Sequence, residues 1–327
     1  MPKTRFVKDI KEGEPVRDLF LVANKALLTS NAGKPYLSLQ LRDRTGQIEG
    51  RVWDRAEEIG KRFERDDVVE ASGTAIAYQG RVQLKVHDVR REEGAARDLS
   101  EYLPVTRKGI EPLWAELQRF IREVKDRDLK ALLSAVFPDP PETDVARRFR
   151  QAPGGKTMHH DYIGGLLEHT VSVAGICRML SAHYEGVDAD LLLAGAMLHD
   201  LGKVHELSYE GAFEYTDEGR LLGHLYMGAE FVDRVCASLP GFPQEKTMLV
   251  KHMILSHHGE LEYGSPKRPK TLEAILLHFV ENMDAKVTAF QDAVAEMREG
   301  VRWTDYQRMF ERCLYAGKSA KGPEGKD

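Results

Sequence analysis

The first part of the chain alternates hydrophobic and polar residues with the period of β-strands. In residues 37–41 leucines alternate with polar side chains, and turn residues follow at 43–46 before a second alternating run begins. Another pair of runs lies within 68–86, and residues 54–63 have the pattern of a short helix between the two pairs. About five short strands with a helix after the third predict a small Greek-key barrel of the OB type.

From residue 111 onward the hydrophobic spacing changes to that of helices. Leu113, Leu117 and Phe120 repeat at intervals of three and four residues, and similar spacing continues nearly to the C-terminus. We therefore expect an α+β multidomain fold, in which the small N-terminal OB-type barrel is followed by an all-α helical bundle. The expected boundaries are 1–92 for the barrel, 93–110 for a linker, 111–316 for the bundle and 317–327 for a disordered tail.

Composition excludes several classes of protein. With 42% hydrophobic and 30% charged residues, the 327-residue chain can bury a sizeable core, which excludes a mostly disordered protein. It contains no apolar run of ~20 residues, so we expect no membrane span and no membrane partner. The N-terminal residues lack the apolar segment of a secretory signal, and the three cysteines lie far apart. Reduced thiols and a cytoplasmic location are the expectation.

The helical part concentrates side chains that can carry chemistry. Ten of the twelve histidines lie between residues 159 and 258. His169, His257 and Asp284 each continue an apolar helical stripe, and the doublet His199-Asp200 ends an almost wholly apolar run. Polar side chains on core-facing stripes are costly unless they have partners, and a divalent metal ion partners several of them at once. The candidate metal ligands are His169, His199, Asp200, His224, His257, His258 and Asp284.

The mixture of ligand types narrows the choice of metal. Imidazole and carboxylate together favour Mn, Fe, Co, Ni or Zn over Ca, and Mn is the ion that we expect. Five imidazoles and two carboxylates suit two ions that share Asp200 as a bridge. Two such ions ~3.5–4 Å apart can deprotonate a bridging water and neutralise charge that develops on a phosphodiester. Lys203, in the sequence His-Asp-Leu-Gly-Lys, is placed to hold a phosphate oxygen or the leaving group, so Asp200 and Lys203 are the catalytic candidates.

Further residues are candidates for binding a nucleic-acid strand. An OB barrel binds strands by aromatic stacking and a basic groove, and residues 1–92 carry 18 Lys and Arg against 15 Asp and Glu although the whole chain has a net charge of −5. The barrel candidates are Phe20, Tyr36, Trp53, Tyr78, Arg42, Arg44, Arg51, Arg81 and Lys85. The bundle candidates are Arg147, Arg148, Arg150, Lys156, His159 and His160. Core packing of Phe20 and solvated positions for the charged side chains are alternatives that the pattern leaves open.

The order of the candidate ligands resembles the HD superfamily of metal-dependent phosphohydrolases. The residues that carry this resemblance are His169, His199, Asp200, Lys203 and Asp284. The remaining histidines resemble the two-metal branch of that superfamily. The resemblance implies that one ion is held by His169, His199, Asp200 and Asp284. It implies that the other ion is held by Asp200, His224, His257 and His258.

Five longer segments resemble the YhaM family of 3′-to-5′ exoribonucleases. They are FRQAPGGKTMHHDYIGGLLEHT, LHDLGKVHEL, GRLLGHLYMG, HMILSHHGELEYGSP and ENMDAK. That family places an OB-type nucleic-acid-binding domain before an HD domain, and the resemblance covers nearly the whole chain except the linker and the tail. It implies an enzyme that hydrolyses single-stranded RNA from the 3′ end to 5′-mononucleotides, by a two-metal hydroxide attack.

Other functions stay open on the sequence alone. One is a cyclic-dinucleotide or small-nucleotide phosphodiesterase of the HD superfamily, although the Gly-Tyr-Pro signature of the cyclic-dinucleotide branch is replaced here by Gly264-Ser-Pro266. Another is a non-catalytic single-strand-binding protein with a structural metal, which the large ligand set and Lys203 disfavour. Single-stranded DNA as an additional substrate and assembly into a homo-oligomer are also left open.

Overall fold

The chain forms two compact units. The computed structural model describes residues 3–30, 32–78, 80–92, 101–155, 162–208, 214–295, 297 and 300–317. One unit contains the chain up to Arg107 together with Ser208–Tyr215, and the other contains Lys108–Leu207 and the chain from Thr216 onward. A closed five-stranded barrel lies in the first unit and a set of helices in the second, which confirms the expected fold class.

Five strands close the barrel of the first unit. They are β1 (Pro15–Thr29), β2 (Pro35–Asp43), β3 (Gly46–Val52), β4 (Val68–Tyr78) and β5 (Arg81–Arg91), and the predicted short helix is α1 (Ala56–Gly60). The strand order around the barrel is β1-β2-β3-β5-β4. β3 pairs with β5 in parallel, and the other neighbours pair antiparallel.

The alternation seen in the sequence builds the interior of the barrel. Leu37, Leu39 and Leu41 of β2 are buried, each exposing 1% of its surface or less, and their polar neighbours face outward. The ring of Phe20 is fully buried in the same core. The proposal that Phe20 stacks on bases is therefore wrong, because core packing leaves none of its ring accessible.

The described part of the second unit contains nine α-helices. They are α2 (Ile110–Glu123), α3 (Arg127–Val136), α4 (Asp144–Gln151), α5 (Gly165–His183), α6 (Ala189–Leu198), α7 (Lys203–Glu206), α8 (Asp217–Ser238), α9 (Gln244–Ser256) and α10 (Leu272–Ala295). Two short strands, β6 (Leu207–Ser208) and β7 (Glu214–Tyr215), pair with each other. Within the described ranges, no helix combines the length and the apolar character that crossing a bilayer requires.

Side chains at the first turns explain where several of these helices begin. Asp126, Thr143, Asp188 and Thr216 each accept a hydrogen bond from a backbone N–H of the turn that follows, which satisfies donors that have no partner inside the helix. Thr216 starts α8 in this way, and non-helical backbone at Gly223 interrupts that helix.

Helix α6 is the buried centre of the second unit. Every residue from Leu191 to Leu198 is buried, and α5, α9 and α10 all pack against this helix. The two residues that follow it, His199 and Asp200, expose only 0% and 2% of their surface. An apolar helix therefore places an imidazole and a carboxylate in the interior.

The turn after α6 approaches α8 closely. A Cβ atom at Gly202 would lie 2.0 Å from the carbonyl oxygen of His224 and 2.7 Å from the nitrogen of Gly228. Only glycine permits this approach, because real Cβ atoms do not come so near to backbone atoms. The contact holds the segment of Asp200 against the segment of His224.

We expect Gly202→Ala to destabilise the helical unit by about 2–3 kcal/mol, since its Cβ must displace backbone of α8. The matched control is Gly175→Ala in α5, where the added Cβ meets only Phe120 Cζ at 3.8 Å. That variant should be neutral or more stable by up to ~1 kcal/mol. The stabilities of the two variants are compared by urea unfolding followed by circular dichroism at 222 nm. Equal unfolding midpoints would contradict the close approach of Gly202 to α8.

Candidate metal centre

All seven candidate ligands meet in one region of the second unit. His169, His199 and Asp200 form one group, and a second group consists of His224, His257 and His258. Within each group, one ligand atom of every residue lies within 4.8 Å of the others. The first group is wholly buried, whereas His224 and His258 of the second group are partly exposed. The remaining candidate, Asp284, contacts the first group.

The carboxylate of Asp200 lies between the two groups. Its Oδ2 is 3.7 Å from His169 Nε2 and 3.4 Å from His199 Nε2. Its Oδ1 is 3.5 Å from both His224 Nε2 and His257 Nε2. One oxygen therefore faces each group, which is the arrangement that a bridging carboxylate requires.

Backbone carbonyl groups orient three of the imidazoles. The Nδ1 atoms of His199, His257 and His258 lie 2.9–3.0 Å from main-chain carbonyl oxygens. Because a carbonyl oxygen can only accept, Nδ1 must donate, and the neutral ring then carries a lone pair on Nε2. Each of these rings therefore presents a metal-ligating nitrogen.

A carboxylate orients the fourth imidazole, and the sequence analysis missed it. Glu206 Oε1 accepts hydrogen bonds from both Nδ1 and the backbone N–H of His224, each at 3.0 Å. The second bond is available because the backbone at Gly223 is not helical. Although burial acts to raise the pKa of Glu206, its hydrogen bonds from His224 hold that pKa below the usual value. The signal in the sequence was an acid three residues after Lys203, at the end of the same short helix.

Asp284 lies behind His169. Its Oδ2 is 2.8 Å from His169 Nδ1, and its Oδ1 accepts a hydrogen bond from Ser172, which sequence reasoning also missed. A carboxylate in this position fixes the ring and makes Nε2 a more basic ligand. The structure thus shows Asp284 as a partner of a candidate ligand, and its direct contact with an ion stays a prediction.

Burial and charge set the protonation of the site. Burial lowers the pKa of His169 and of His258 to about 4, and it lowers the pKa of His257 well below its ordinary value. These rings are therefore neutral at neutral pH. Burial acts to raise the pKa of Asp200, but Lys203 and His199 together hold it well below the usual range, so Asp200 is a carboxylate.

The site leaves buried acceptors that face one another. Among the residues that the structure describes, Asp200 Oδ1, His224 Nε2 and His257 Nε2 have no hydrogen-bond partner, although all three atoms are buried. In the first group, His169 Nε2 and His199 Nε2 lie 3.2 Å apart. Although burial acts to lower the pKa of His199, Asp200 raises it, so either a proton or a metal ion can lie between these two nitrogens. Opposed lone pairs in a buried space repel unless a cation lies between them. The residues fit a divalent metal, because a cation would be a common partner of all these atoms.

Two further ionisable groups face this region. Lys203 Nζ is 2.7 Å from Asp200 Oδ2 and donates to the carbonyl oxygen of Gly154 at 2.8 Å. Burial acts to lower the pKa of Lys203, but Asp200 raises it, so the ammonium keeps its charge. Glu281, one turn before Asp284 in α10, was not foreseen; burial and then Asp200 raise its carboxyl pKa.

In the barrel unit, four of the aromatic and basic candidates come together. The rings of Tyr36 and Trp53 stack with centroids 4.7 Å apart and an interplanar angle of 23°, and Trp53 is 42% exposed. The Arg51 guanidinium lies 5.7 Å from the centroid of Tyr36 and 5.2 Å from that of Tyr78. Tyr36, Trp53, Tyr78 and Arg51 are called the aromatic cluster below.

The other strand-binding candidates are placed differently. Arg42 is half-buried on β2, and Arg44 stacks on Phe6. Arg150 pairs with Glu111 and lies 5.5 Å from the ring of Trp114, with its side chain only 18% exposed. Through these contacts, Arg150 packs against helix α2. Lys156, His159 and His160 lie outside the described residues.

Two family models match separate parts of the chain. Residues 166–286 match the HD domain, and residues 22–91 match the OB-fold nucleic acid binding domain. The first match contains all seven candidate ligands, and the second contains the aromatic cluster. HD domains are metal-dependent phosphohydrolases, so the two matches together support a hydrolase that acts on nucleic acid.

Several solved structures are similar to part of the chain. The second OB-fold domain of replication protein A from Methanococcus maripaludis is 17% identical, with a TM-score of 0.24, over 28% of this chain and 98% of that one. A replication protein A heterotrimer bound to ssDNA is 21% identical, with a TM-score of 0.21, over 27% of this chain and 65% of that one. An asparaginyl-tRNA synthetase from Entamoeba histolytica is 18% identical, with a TM-score of 0.22, over 35% of this chain and 32% of that one.

Divalent metal should stabilise the helical unit, because it binds the folded site and relieves the repulsion between buried lone pairs. At a Mn²⁺ concentration of ~100 times Kd, linkage gives about 2.7 kcal/mol, which raises the melting temperature by several degrees. His257→Ala should lose most of this rise. His183→Ala, at the outer end of α5, should keep it. The melting temperature of each variant is measured by thermal unfolding with and without Mn²⁺. An equal rise of the melting temperature in both variants would reject the metal site.

Proposed function

We propose that this chain is a metal-dependent 3′-to-5′ exonuclease that acts on single-stranded RNA in the cytoplasm. The observation that carries the proposal is the set of opposed, unpartnered acceptor atoms around Asp200, which calls for cations in a site with the residues of a phosphohydrolase. The matches to an HD domain and an OB-fold nucleic acid binding domain support nucleic acid as the substrate. The resemblance to the YhaM family supports the preference for RNA and the 3′-to-5′ polarity.

We propose that two ions, most suitably Mn²⁺, bind on either side of Asp200. His169 and His199 with Asp200 Oδ2 would hold one of them, with Asp284 as an additional predicted ligand. Asp200 Oδ1 with His224, His257 and His258 would hold the other. When bound, such ions lower the pKa of water and neutralise negative charge on a phosphodiester.

The residues around the ligands prepare the site for an anionic substrate. Glu206 and Asp284 hold the rings of His224 and His169, so the ligand nitrogens need no reorganisation. Lys203 keeps a positive charge beside Asp200, where its ammonium would compensate charge on a phosphate oxygen or on the leaving oxygen. In the hydrolysis, the oxygen of water bonds to phosphorus and the bond to the 3′ oxygen of the preceding nucleotide breaks. That oxygen takes a proton, which leaves a 5′-mononucleotide and a strand shortened by one.

The aromatic cluster of the barrel is the proposed strand-binding surface. Trp53 and Tyr78 expose 42% and 47% of their surface, so a base can stack on either ring without displacing other side chains. Arg51 lies beside both Tyr36 and Tyr78, where a guanidinium can contact phosphate oxygens. Stacking of this kind tolerates any base, which an enzyme that removes successive nucleotides requires.

Asp200→Asn should abolish strand shortening, because the side chain loses the charge that faces both groups. The assay uses 5′-labelled single-stranded RNA with Mn²⁺, on which the wild type should produce a ladder of progressively shorter labelled products. Asp233→Asn, which alters an exposed surface ion pair with Lys251, should leave the ladder unchanged. Binding of the RNA by the Asp200 variant should stay within about threefold of wild type, because the barrel is intact.

Other outcomes of the same assay would replace the proposal. Immediate release of a labelled mononucleotide would indicate that the enzyme shortens the strand from its 5′ end. Cleavage of small nucleotides without any ladder would indicate a small-nucleotide phosphodiesterase. Retention of uncut RNA at every metal tested would indicate a binding protein. A full ladder from Asp200→Asn would remove Asp200 from the catalytic site.

Trp53→Ala should weaken RNA binding by about tenfold or more, since loss of one stacked base costs ~1–3 kcal/mol. Tyr184→Ala removes an equally exposed aromatic ring at the end of α5 and should leave affinity unchanged. Fluorescence anisotropy with labelled single-stranded RNA measures the affinity of each variant. The rate at which the two variants cleave a short chromogenic phosphodiester should be equal. Equal RNA affinities would exclude Trp53 from the binding surface.

A further inference from the structure

Helix α10 presents an apolar stripe to solvent. Six large hydrophobic side chains along it are between 37% and 64% exposed, and they recur at the helical period of 3.6 residues. They are Leu272, Ile275, Phe279, Met283, Val287 and Phe290. An amphipathic helix normally exposes its polar side. In α10, by contrast, the acidic side chains of Glu273 and Asp284 are buried. We call these six side chains the α10 stripe.

The α10 stripe carries almost no charge. All of Leu272–Ala295 is described, and on the helical sector that contains the stripe the one charged residue is Lys286, with Asn282 and small alanines beside it. Charged residues are depleted from the centre of protein interfaces and enriched on ordinary surfaces. The composition is therefore that of an interface.

The apolar surface continues into the segment after α10. The ring of Phe310 lies 6.5 Å from that of Phe290, which joins residues 301–315 to the end of the helix. In this segment Trp303 and Tyr306 are 57% and 61% exposed. Stripe and segment together offer on the order of 800 Å², which matches the area that each partner buries in a stable complex of ~1,600 Å². A patch of this size marks a binding surface.

The spacing of the α10 stripe is nearly symmetric about Met283. Phe279 and Val287 lie four residues to either side, and Ile275 and Phe290 lie eight and seven residues to either side. When such a helix pairs antiparallel with a copy of itself about a two-fold axis at Met283, Met283 faces its own equivalent, Phe279 faces Val287, and Ile275 faces the position next to Phe290. Lys286 then lies near Phe279 of the partner subunit, where an ammonium can contact the ring face.

We propose that the α10 stripe is the interface of a homodimer, in which α10 packs antiparallel against α10 of a second copy. A second copy fits the near-symmetric spacing, the absence of opposed like charges at the centre and the available area. Because the interface lies on the side of α10 away from buried Asp284, dimer formation and the reaction at the metal centre can be tested separately.

Light scattering coupled to size-exclusion chromatography tests the oligomeric state. At micromolar concentration the wild type should have twice the mass of one 36.9 kDa chain. Phe279→Glu should have the mass of one chain, since it places a carboxylate at the centre of the interface. Met179→Glu changes an equally exposed apolar residue on α5 and should stay dimeric. Unchanged circular dichroism and Mn²⁺-dependent stabilisation establish that each variant is folded.

A monomeric wild type would overturn the proposal and indicate that something other than a second copy covers the stripe. A dimer that survives Phe279→Glu would also overturn it, because another surface would then hold the subunits together.

Cysteine cross-linking tests the antiparallel geometry. In a Cys313→Ser background, which removes the exposed native thiol, Met283→Cys should form a disulfide with its own equivalent because it lies at the axis. Ile275→Cys alone should not cross-link, whereas the double variant Ile275→Cys with Phe290→Cys should. Cross-linking of Ile275→Cys alone, without Met283→Cys, would reject the antiparallel arrangement.

Discussion

The candidate site depends on the repulsion between lone pairs that the fold forces together. A backbone carbonyl takes the Nδ1 hydrogen of His257, so Nε2 of this neutral ring must accept. Both His257 Nε2 and His224 Nε2 lie 3.5 Å from Asp200 Oδ1. Burial lowers the pKa of His257 well below its ordinary value and keeps this ring neutral, whereas Asp200 raises the pKa of His199 against the effect of burial. A cation between these atoms would relieve the repulsion, which the packing of five helices creates.

The helices hold this unfavourable arrangement because apolar burial around it is extensive. The all-buried run of α6 anchors the doublet His199-Asp200, and the close contact at Gly202 locks the adjacent turn onto α8. Each contact involves backbone or core side chains, so the ligands cannot separate without opening the helical unit. The packing that stabilises the core therefore also fixes the geometry of the site.

Sequence pattern was sufficient for the architecture and for the seven side chains that the structure brings together as candidate ligands. Leucine alternation in β2 and the apolar character of α6 are strong local signals, and histidines on core-facing stripes are costly enough to be noticed. Glu206, Ser172 and Glu281 were missed because each is an ordinary polar residue whose importance comes from a neighbour distant in sequence. Phe20 could not be assigned from the sequence, because an aromatic residue in a strand has the same pattern whether it faces the core or a ligand. Asp284 was found, but its contact with His169 Nδ1 depends on the rotation between α5 and α10, which spacing does not encode.

The two halves of the centre differ in their access to water. His169, His199 and Asp200 are sealed in the interior, whereas His224 sits just beyond the break at Gly223 and shares a partly open edge with His258. Two ions held as proposed would then exchange with solvent at unequal rates, the inner one slowly and the outer one quickly. The inner position would behave as a permanent part of the protein. The occupancy of the outer position would vary with the concentration of metal in the surrounding solution. Asp200 would then connect a permanently bound ion to an exchangeable one.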